Sequence, residues 1–327
     1  MVTAESTEPA PSPSGQGPIR VPTLGVWASG LASLLLYGSL FVLPVLGFFV
    51  APMAVIPLLQ RAGRTGSALQ SWLWIVLVLA AASAVNGSRM GLLFVAGYLL
   101  MVALPVSSVE LWERRGWSEG RWAALAVLAG LVVVLAAIAG AAWPVGPVEA
   151  TVRWITEASK DAMKLYASAG VSQGQMQLAL DASLPTMKWL APQLPVAYMV
   201  AVLFWIRPRA PLFGLAVSPG PFEAYRSEEW LPAAFAMGGL GTLLLHGTAR
   251  WIAVNVLGAV LILYFVHGLA IIRAHLARWV GRGWFVRWGV ALLCLQFPMP
   301  VLVAGLGLWD SFFDLRPSRP SDHGRTT

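Results

Sequence analysis

The side chains best able to do chemistry in this chain are a few polar residues set among long apolar stretches of its C-terminal half. Ionisable side chains are costly to bury in an apolar environment, so they usually mark a ligand site or an ion path. Asn255 and His267 would lie about 120° apart on one helix, so they need not form one site. The candidate ligand-binding residues are His246, Arg250, Asn255, His267, Asp310 and Asp314.

Three of these candidates also have a purely structural interpretation. Asp310 and Asp314 have the spacing of neighbours on one helix face, so we expect an ion pair with Arg250 or Arg89. His267 is expected to hydrogen-bond a neighbouring backbone carbonyl, with ligand binding as the alternative. Both interpretations favour a structural role for these side chains over a catalytic one.

Catalytic motifs are nearly absent from the sequence. The run Gly170-Val-Ser172-Gln-Gly174 has the pattern of a nucleophile elbow, but that motif needs a strand-to-helix turn with His and acidic partners nearby. Ser172 and Gln175 have the spacing of a helix N-cap instead. A single cysteine, Cys294, cannot build a cysteine metal site within one chain. We therefore expect a non-enzymatic protein with no catalytic residues, no metal site and no cofactor.

The elements that must position these residues are membrane helices. The chain is 57% hydrophobic and only 11% charged, and its mean hydropathy is +0.70. The apolar residues fall into blocks of roughly 17 to 25, the length of a helix that crosses a bilayer. The formal net charge of +7 is carried mostly by short connections, where it sets orientation. The sequence predicts an all-α, polytopic transmembrane helix bundle with lipid as its solvent and no nucleic-acid partner.

The apolar blocks predict about nine spans, eight or nine being compatible with their lengths. The first run would exceed the bilayer thickness as one helix, so we expect Pro44 and Gly47 to break it. Residues 24–316 form the predicted transmembrane domain, between disordered tails at 1–23 and 317–327. The predicted spans lie near 25–43, 46–60, 69–85, 90–108, 122–143, 189–206, 230–247, 251–272 and 287–309.

The one long polar segment, 144–187, is predicted to be amphipathic and helical. Val148, Val152 and Ile155 recur at helical spacing, and Gly170 marks a turn before a second short helix. The segment could cover the outer face as a lid, or it could be a connector that packs on the spans.

Arginines concentrate in alternate connections, around residues 61–64, 114–121, 207–226 and 273–287. Because connections rich in Lys and Arg stay on the cytoplasmic side, the N-terminus is predicted to be cytoplasmic. With nine spans, the C-terminus would then lie outside.

Two C-terminal motifs resemble the closing signature of the YybS-like family, which comprises bacterial multi-pass membrane proteins of unknown function. The motifs are Leu263-Tyr-Phe-Val-His267-Gly268 and Gly305-Leu-Gly-Leu-Trp-Asp310-Ser-Phe-Phe-Asp314-Leu-Arg316. The resemblance covers most of residues 25–316 and implies a place in the bacterial inner membrane. His267 stands where the family pattern has a glutamine.

The YybS-like family is in turn similar to the substrate-binding S components of energy-coupling-factor transporters and to the scaffold protein MreD. Likeness to S components implies a protein that binds a small ligand or a membrane partner, with the outer segment over the ligand pocket. It also implies that Ala28 and Ala32 of the first span dock a partner helix. A scaffold like MreD is the alternative, and a lipid-modifying enzyme is a third.

Overall fold

The computed structural model describes residues 25–85, 89–168, 172–279, 284–313 and 315–316. Over this part of the chain every regular element is helical, and the longest helices are strongly apolar. The predicted all-α, polytopic helix bundle is confirmed at that level. The predicted tails and the candidate residue Asp314 lie outside the described residues.

The described α-helices follow one another mostly with short connections, several of them made by 3-10 or π turns, whereas a long connection, residues 207–230, joins α10 to α11. In chain order they are α1 (Val26–Val42), α2 (Pro44–Val50), α3 (Ile56–Thr65), α4 (Leu69–Val85), α5 (Arg89–Tyr98), α6 (Leu104–Arg115), α7 (Glu119–Ala142), α8 (Pro147–Ser168), α9 (Gln173–Leu190), α10 (Gln193–Ile206), α11 (Leu231–Leu244), α12 (Gly247–Trp279), α13 (Trp284–Leu295) and α14 (Met299–Asp310).

Within the described residues, five helical stretches are long and apolar enough to cross a membrane. Three more helices, α1, α4 and α11, are apolar but shorter. The five long stretches are Val45–Thr65, Gly91–Arg115, Glu119–Ala142, Gln193–Phe213 and Gly247–Leu276.

The break predicted in the first apolar run is confirmed at Pro44, whereas Gly47, also expected to break the run, lies within α2. Helix α1 ends at Val42 and α2 begins at Pro44. Proline is tolerated at the first helical position because its missing N–H would have no intrahelical partner there.

The last predicted span, 287–309, is wrong as a single helix. Helices α13 and α14 meet at a bend of 97°. The break contains Pro298, and Pro300 follows in the first turn of α14, so two backbone N–H donors are missing where a continuous helix needs them. The bend turns α14 against α12.

Several connections meet at one end of the bundle, and they comprise residues 66–68, 116–118 and 214–230. We call it the basic end because arginines lie in or directly beside these connections: Arg61, Arg64, Arg114, Arg115, Arg121, Arg207, Arg209 and Arg226. Arg114 donates to the carbonyl of Gly66, and the N–H of Ala216 donates to Glu113 Oε1 at 2.6 Å. The start of α1 is also there, since Ser29 Oγ lies 3.0 Å from Ser71 Oγ near the start of α4.

The C-terminal residues return to this same end. Arg316 donates through Nη1 to the carbonyl of Glu223 at 3.1 Å, and through Nη2 to the carbonyl of Tyr225. Residues 315–316 therefore lie at the same end as the basic connections, whereas nine straight spans would place them at the opposite end. The bend between α13 and α14 is the reason, because the last apolar block does not run on as one straight span.

The segment predicted to be helical at 144–187 forms two helices, α8 and α9, which follow the far end of α7, and its place on the outer side of a membrane stays a prediction. The two helices pack on each other, and α8 also packs on α7. The N-cap predicted at Ser172 is present, since Ser172 Oγ accepts the N–H of Gln175 at 3.3 Å. The segment thus lies at the opposite end of α7 from the basic end.

Candidate functional site

A polar cleft of about 710 Å³ opens at the basic end of the bundle. It lies between the start of α7, the connection before α11, the middle of α12 and the end of α14. We call it the polar cleft; its lining comprises Arg115, Gly116, Trp117, Ser118, Arg121, Arg226, Ser227, Glu228, Glu229, Pro232, His267, Asp310 and Ser311.

His267 and Asp310 form a buried pair at this cleft. His267 Nε2 lies 2.9 Å from Asp310 Oδ2, and the two side chains are 3% and 1% exposed. The other carboxylate oxygen, Oδ1, accepts the N–H of Leu315 at 2.8 Å. Arg316 Nε lies 3.5 Å from Oδ2. The carboxylate is thus held by three groups that replace its lost hydration.

Ser227 completes a chain of three side chains, because its Oγ lies 2.9 Å from Nδ1 of His267. A carboxylate can only accept hydrogen bonds, so His267 Nε2 carries the proton that faces Asp310. In the neutral imidazole Nδ1 is then an acceptor, and the Ser227 hydroxyl donates to it. The arrangement links a hydroxyl, an imidazole and a carboxylate in order.

Two glycines allow α14 to bring Asp310 to His267. A Cβ added at Gly307 would lie 2.1 Å from the carbonyl oxygen of Tyr264, and one added at Gly268 would lie 2.0 Å from that of Val303. Neither distance is possible for a real side chain, and the obstacles are backbone atoms. Only glycine permits this close approach of the two helices.

The connection that carries Ser227 is fixed to the start of α7 by a buried ion pair. Arg207 Nε donates to Glu119 Oε2 at 3.0 Å, and Arg207 Nη2 donates to the carbonyl of Gly220 at 2.7 Å. The N–H of Gly220 donates to Glu119 Oε1 at 2.7 Å. These bonds hold residues 207–220 in one conformation, and so set where the following residues enter the cleft.

Tyr225 packs beside the chain of polar groups. Its ring meets that of His267 edge-on, with centroids 6.3 Å apart. Burial raises the pKa of the Tyr225 phenol above its ordinary value. Within the described part of the chain, its hydroxyl has no hydrogen-bond partner. Tyr225 is therefore a neutral, buried ring that packs against His267.

Charges of both signs surround the cleft mouth. Arg121 Nε lies 3.7 Å from Glu228 Oε2, and Ser118 Oγ donates to Glu228 Oε1. Ser118 Oγ also accepts the N–H of Arg121 at 3.1 Å, which caps α7. Arg115 and Arg226 are exposed on the same lining. Guanidinium groups in such positions suit a carboxylate or phosphate.

The structure divides the predicted site residues into two groups. His267 and Asp310 meet at the polar cleft, and their partners are side chains and the Leu315 N–H rather than the backbone carbonyl expected for His267. The ion pair predicted between Asp310 and Arg250 is wrong, because Arg250 lies over the Trp189 ring at the other end of α12.

Asn255 belongs to that second group and is fully buried. Its Nδ2 donates to the carbonyl of Trp251 at 2.8 Å and to that of Trp189 at 3.2 Å. Gln193 Nε2 donates to Asn255 Oδ1 at 2.8 Å. Asn255 thus fastens the start of α10 to α12, whereas His246 is exposed in the turn before α12.

Ala28 and Ala32 lie on the outer side of α1. Ala28 is exposed and Ala32 half-buried, while their neighbours Ser29 and Ser33 face the bundle interior. Ser33 Oγ lies 3.1 Å from the hydroxyl of Tyr98. The predicted docking of a partner helix on Ala28 and Ala32 stays a prediction.

Sequence reasoning missed Ser227 and the cleft arginines. Ser227 lies in a connection, where hydroxyl residues are common, and it is separated from His267 by α11. No local pattern points from one to the other. Over the described residues, no group of three or more His, Cys, Asp or Glu side chains is arranged to hold a metal ion.

A family model described as predicted membrane protein (DUF2232) matches residues 30–311. No curated protein and no solved structure matches the chain. The family match agrees with the multi-pass architecture, and the narrower likeness to YybS-like proteins stays a prediction.

Proposed function

This chain belongs to the DUF2232 family of predicted membrane proteins, and we propose that it is a binding component of the bacterial inner membrane. Its ligand is a small polar molecule that carries a carboxylate or phosphate, and its binding site is the polar cleft. The observation that carries this proposal is the cleft itself, with arginines at its mouth and Ser227, His267 and Asp310 deeper in.

The volume and lining of the cleft support a small-molecule ligand. A volume of about 710 Å³ falls within the usual range of ligand pockets, about 300 to 1,000 Å³. Glu228 is already engaged by Arg121 and Ser118, and Asp310 by His267 and Leu315. Because Arg121 is the partner of Glu228, Arg115 is the exposed cleft guanidinium best placed to meet an anionic group of the ligand.

The proposed orientation places the basic end in the cytoplasm. Arg61, Arg64, Arg114 and Arg209 lie at or near that end, and the returned C-terminal segment adds Arg316. This distribution agrees with the positive-inside rule. The chain would then cross about eight times, with α13 and α14 forming a bent element instead of a ninth straight span.

This orientation sharpens the transporter-subunit interpretation. In an S-component-like role the outer segment would cover the ligand pocket, whereas α8 and α9 lie at the far end of α7 from the polar cleft. We therefore expect the ligand to reach the site from the cytoplasm. The non-enzymatic character of the protein stays a prediction, and the Ser227–His267–Asp310 geometry argues against it.

Native mass spectrometry of the protein released gently from membranes tests this function. We expect a discrete small-molecule adduct on the natural protein. Arg115→Gln should lose the adduct because it removes an exposed cleft guanidinium, while Arg153→Gln, the same charge change on exposed α8, should keep it. Reproducible partner subunits without any adduct would instead favour a scaffold like MreD and overturn the proposal.

A further inference from the structure

We propose that Ser227, His267 and Asp310 are the nucleophile, general base and orienting acid of a serine esterase site in the polar cleft. This inference rests on the proposed function, since the same cleft must bind the substrate. The two contacts that define a triad are both present: Ser227 Oγ to His267 Nδ1 and His267 Nε2 to Asp310 Oδ2, each at 2.9 Å. Triads are recognised by such geometry and not by chain order.

Each residue is placed for its role. Asp310 is fixed by the Leu315 N–H and by Arg316, so it holds the imidazole in the tautomer with its proton on Nε2. That tautomer leaves the Nδ1 lone pair facing the Ser227 hydroxyl. His267 thus faces Ser227 with Nδ1 and Asp310 with Nε2, so each ring nitrogen has one partner in the triad. Ser227 is half-buried and lines the cleft, so a substrate can reach it.

The reaction balances without any added redox partner or metal. Ser227 Oγ attacks the ester carbonyl carbon as its proton passes to His267 Nδ1. The tetrahedral intermediate collapses, the bond between carbonyl carbon and alcohol oxygen breaks, and the alcohol leaves with that proton. Water then attacks the acyl group on Ser227 and gives its proton to His267. The carboxylic acid departs as Ser227 regains the proton.

The lining indicates the substrate class. Arg115 and Arg121 at the mouth suit a phosphate on the alcohol part of the ester. Positive groups on a cleft wall also stabilise the negative oxygen that forms during attack. We therefore assign the site to carboxylic esters of phosphate-bearing alcohols. A membrane phospholipid and a soluble acylated sugar or glycerol phosphate share this chemistry.

A fluorophosphonate probe, which labels activated serines, tests the triad in the full chain purified in detergent. We expect labelling at Ser227, mapped by mass spectrometry. Ser227→Ala should abolish it and removes only a half-buried hydroxyl. His267→Gln and Asp310→Asn should slow it by roughly 10³-fold or more, since one removes the base and the other disturbs its tautomer. Ser183→Ala, on α9 far from the cleft, is the matched control and should label like the natural protein.

The same preparations separate the failure of the triad from the failure of the binding proposal. A small-molecule adduct together with no labelling at Ser227 would overturn the esterase inference and leave ligand binding intact. Absence of both the adduct and the labelling would overturn both. Labelling that persists in His267→Gln, in protein whose melting temperature is unchanged, would also overturn the triad.

Two substrates distinguish the sources of the ester. The first is phosphatidylglycerol in detergent micelles, and the second is a short-chain acyl ester of glycerol 3-phosphate, which is soluble. Release of acid from the micellar lipid alone assigns a membrane substrate, and release from the soluble ester assigns a cytoplasmic one. Labelling at Ser227 with turnover of neither would overturn the assigned substrate class.

Discussion

Helix α12 carries two buried polar residues with opposite surroundings. Asn255 bonds to the carbonyls of Trp251 and Trp189 and to the Gln193 amide, so its partners are groups that do not titrate. His267 bonds to Ser227 and Asp310, which come from two other elements and line a cleft. The difference shows that burial of a polar residue in a membrane helix is ambiguous until its partners are known.

The kind of partner predicts whether mutation of a buried polar residue lowers the stability of the protein or also its reactivity. A residue bonded to backbone carbonyls contributes to stability, because its removal leaves buried groups unpaired. A residue bonded to a hydroxyl and a carboxylate at a cleft also contributes to reactivity. The variants below, in order of decreasing expected effect, break or sharpen this contrast.

The largest effect is expected from Gly307→Ala. The added Cβ would lie 2.1 Å from the Tyr264 carbonyl oxygen, so α14 must move away from α12 and carry Asp310 with it. We expect a loss of about 3 kcal/mol in unfolding free energy, the upper part of the range for overpacking. Thermal unfolding in detergent measures this loss, and fluorophosphonate labelling at Ser227 should fall in parallel.

Gly305→Ala is the matched control on the same helix. A Cβ at Gly305 meets nothing within 4 Å, so the change should be neutral or stabilise the protein by up to about 1 kcal/mol. Equal losses for the two variants would contradict the close approach of α14 to α12.

An intermediate effect is expected from Asn255→Leu. The variant keeps the side-chain volume but removes the donor to the carbonyls of Trp251 and Trp189. It also removes the Oδ1 acceptor of the Gln193 amide, which keeps only its bond to the backbone carbonyl of residue 255. We expect the unfolding free energy to fall by about 2 kcal/mol. Labelling at Ser227 should stay unchanged in Asn255→Leu. In His267→Gln we expect the reverse, with labelling at Ser227 strongly slowed and the unfolding free energy less affected. Loss of labelling in Asn255→Leu at a temperature where the protein is folded would erase the contrast.

The smallest effect is expected from Tyr225→Phe. Burial raises the pKa of the Tyr225 phenol, so the folded protein holds this proton more tightly than the unfolded chain, which loses it near pH 10. Stability should therefore fall as the pH rises above about 10, and Tyr225→Phe should reduce that fall. At neutral pH the change should be below about 1 kcal/mol. Melting temperatures recorded between pH 7 and 11 measure both effects. Identical pH dependences of the melting temperature for the natural protein and Tyr225→Phe would contradict the burial of this phenol.

Much of the helical framework was predictable because it follows from local properties of the chain. The break at Pro44 and the amphipathic pair α8 and α9 are examples, since proline geometry and apolar spacing act over a few residues. The bend at Pro298 is equally local, but it was missed because apolar residues on both sides give the segment the hydropathy of one continuous span. The end of the bundle at which residues 315–316 lie was missed with it, because α14 turns back onto α12 instead of continuing α13.

The site was half predictable. His267 and Asp310 stood out as polar residues within or beside apolar blocks, yet the expected partners were wrong. Their meeting depends on the fit of Gly307 against Tyr264 and of Gly268 against Val303, which is a property of two packed surfaces. Ser227 could not be predicted, because its position depends on the Arg207–Glu119 pair that anchors its connection.

The close docking of α14 has a consequence for how the molecule is made. A chain is synthesised from its N-terminus, so α12 is in the membrane before α14 emerges from the ribosome. Until α14 settles on the two glycines, Ser227 and His267 have no carboxylate to orient them. A nascent or truncated chain would hold the helices through α12 and still lack the third member of the proposed triad, so labelling of Ser227 would report that assembly is finished.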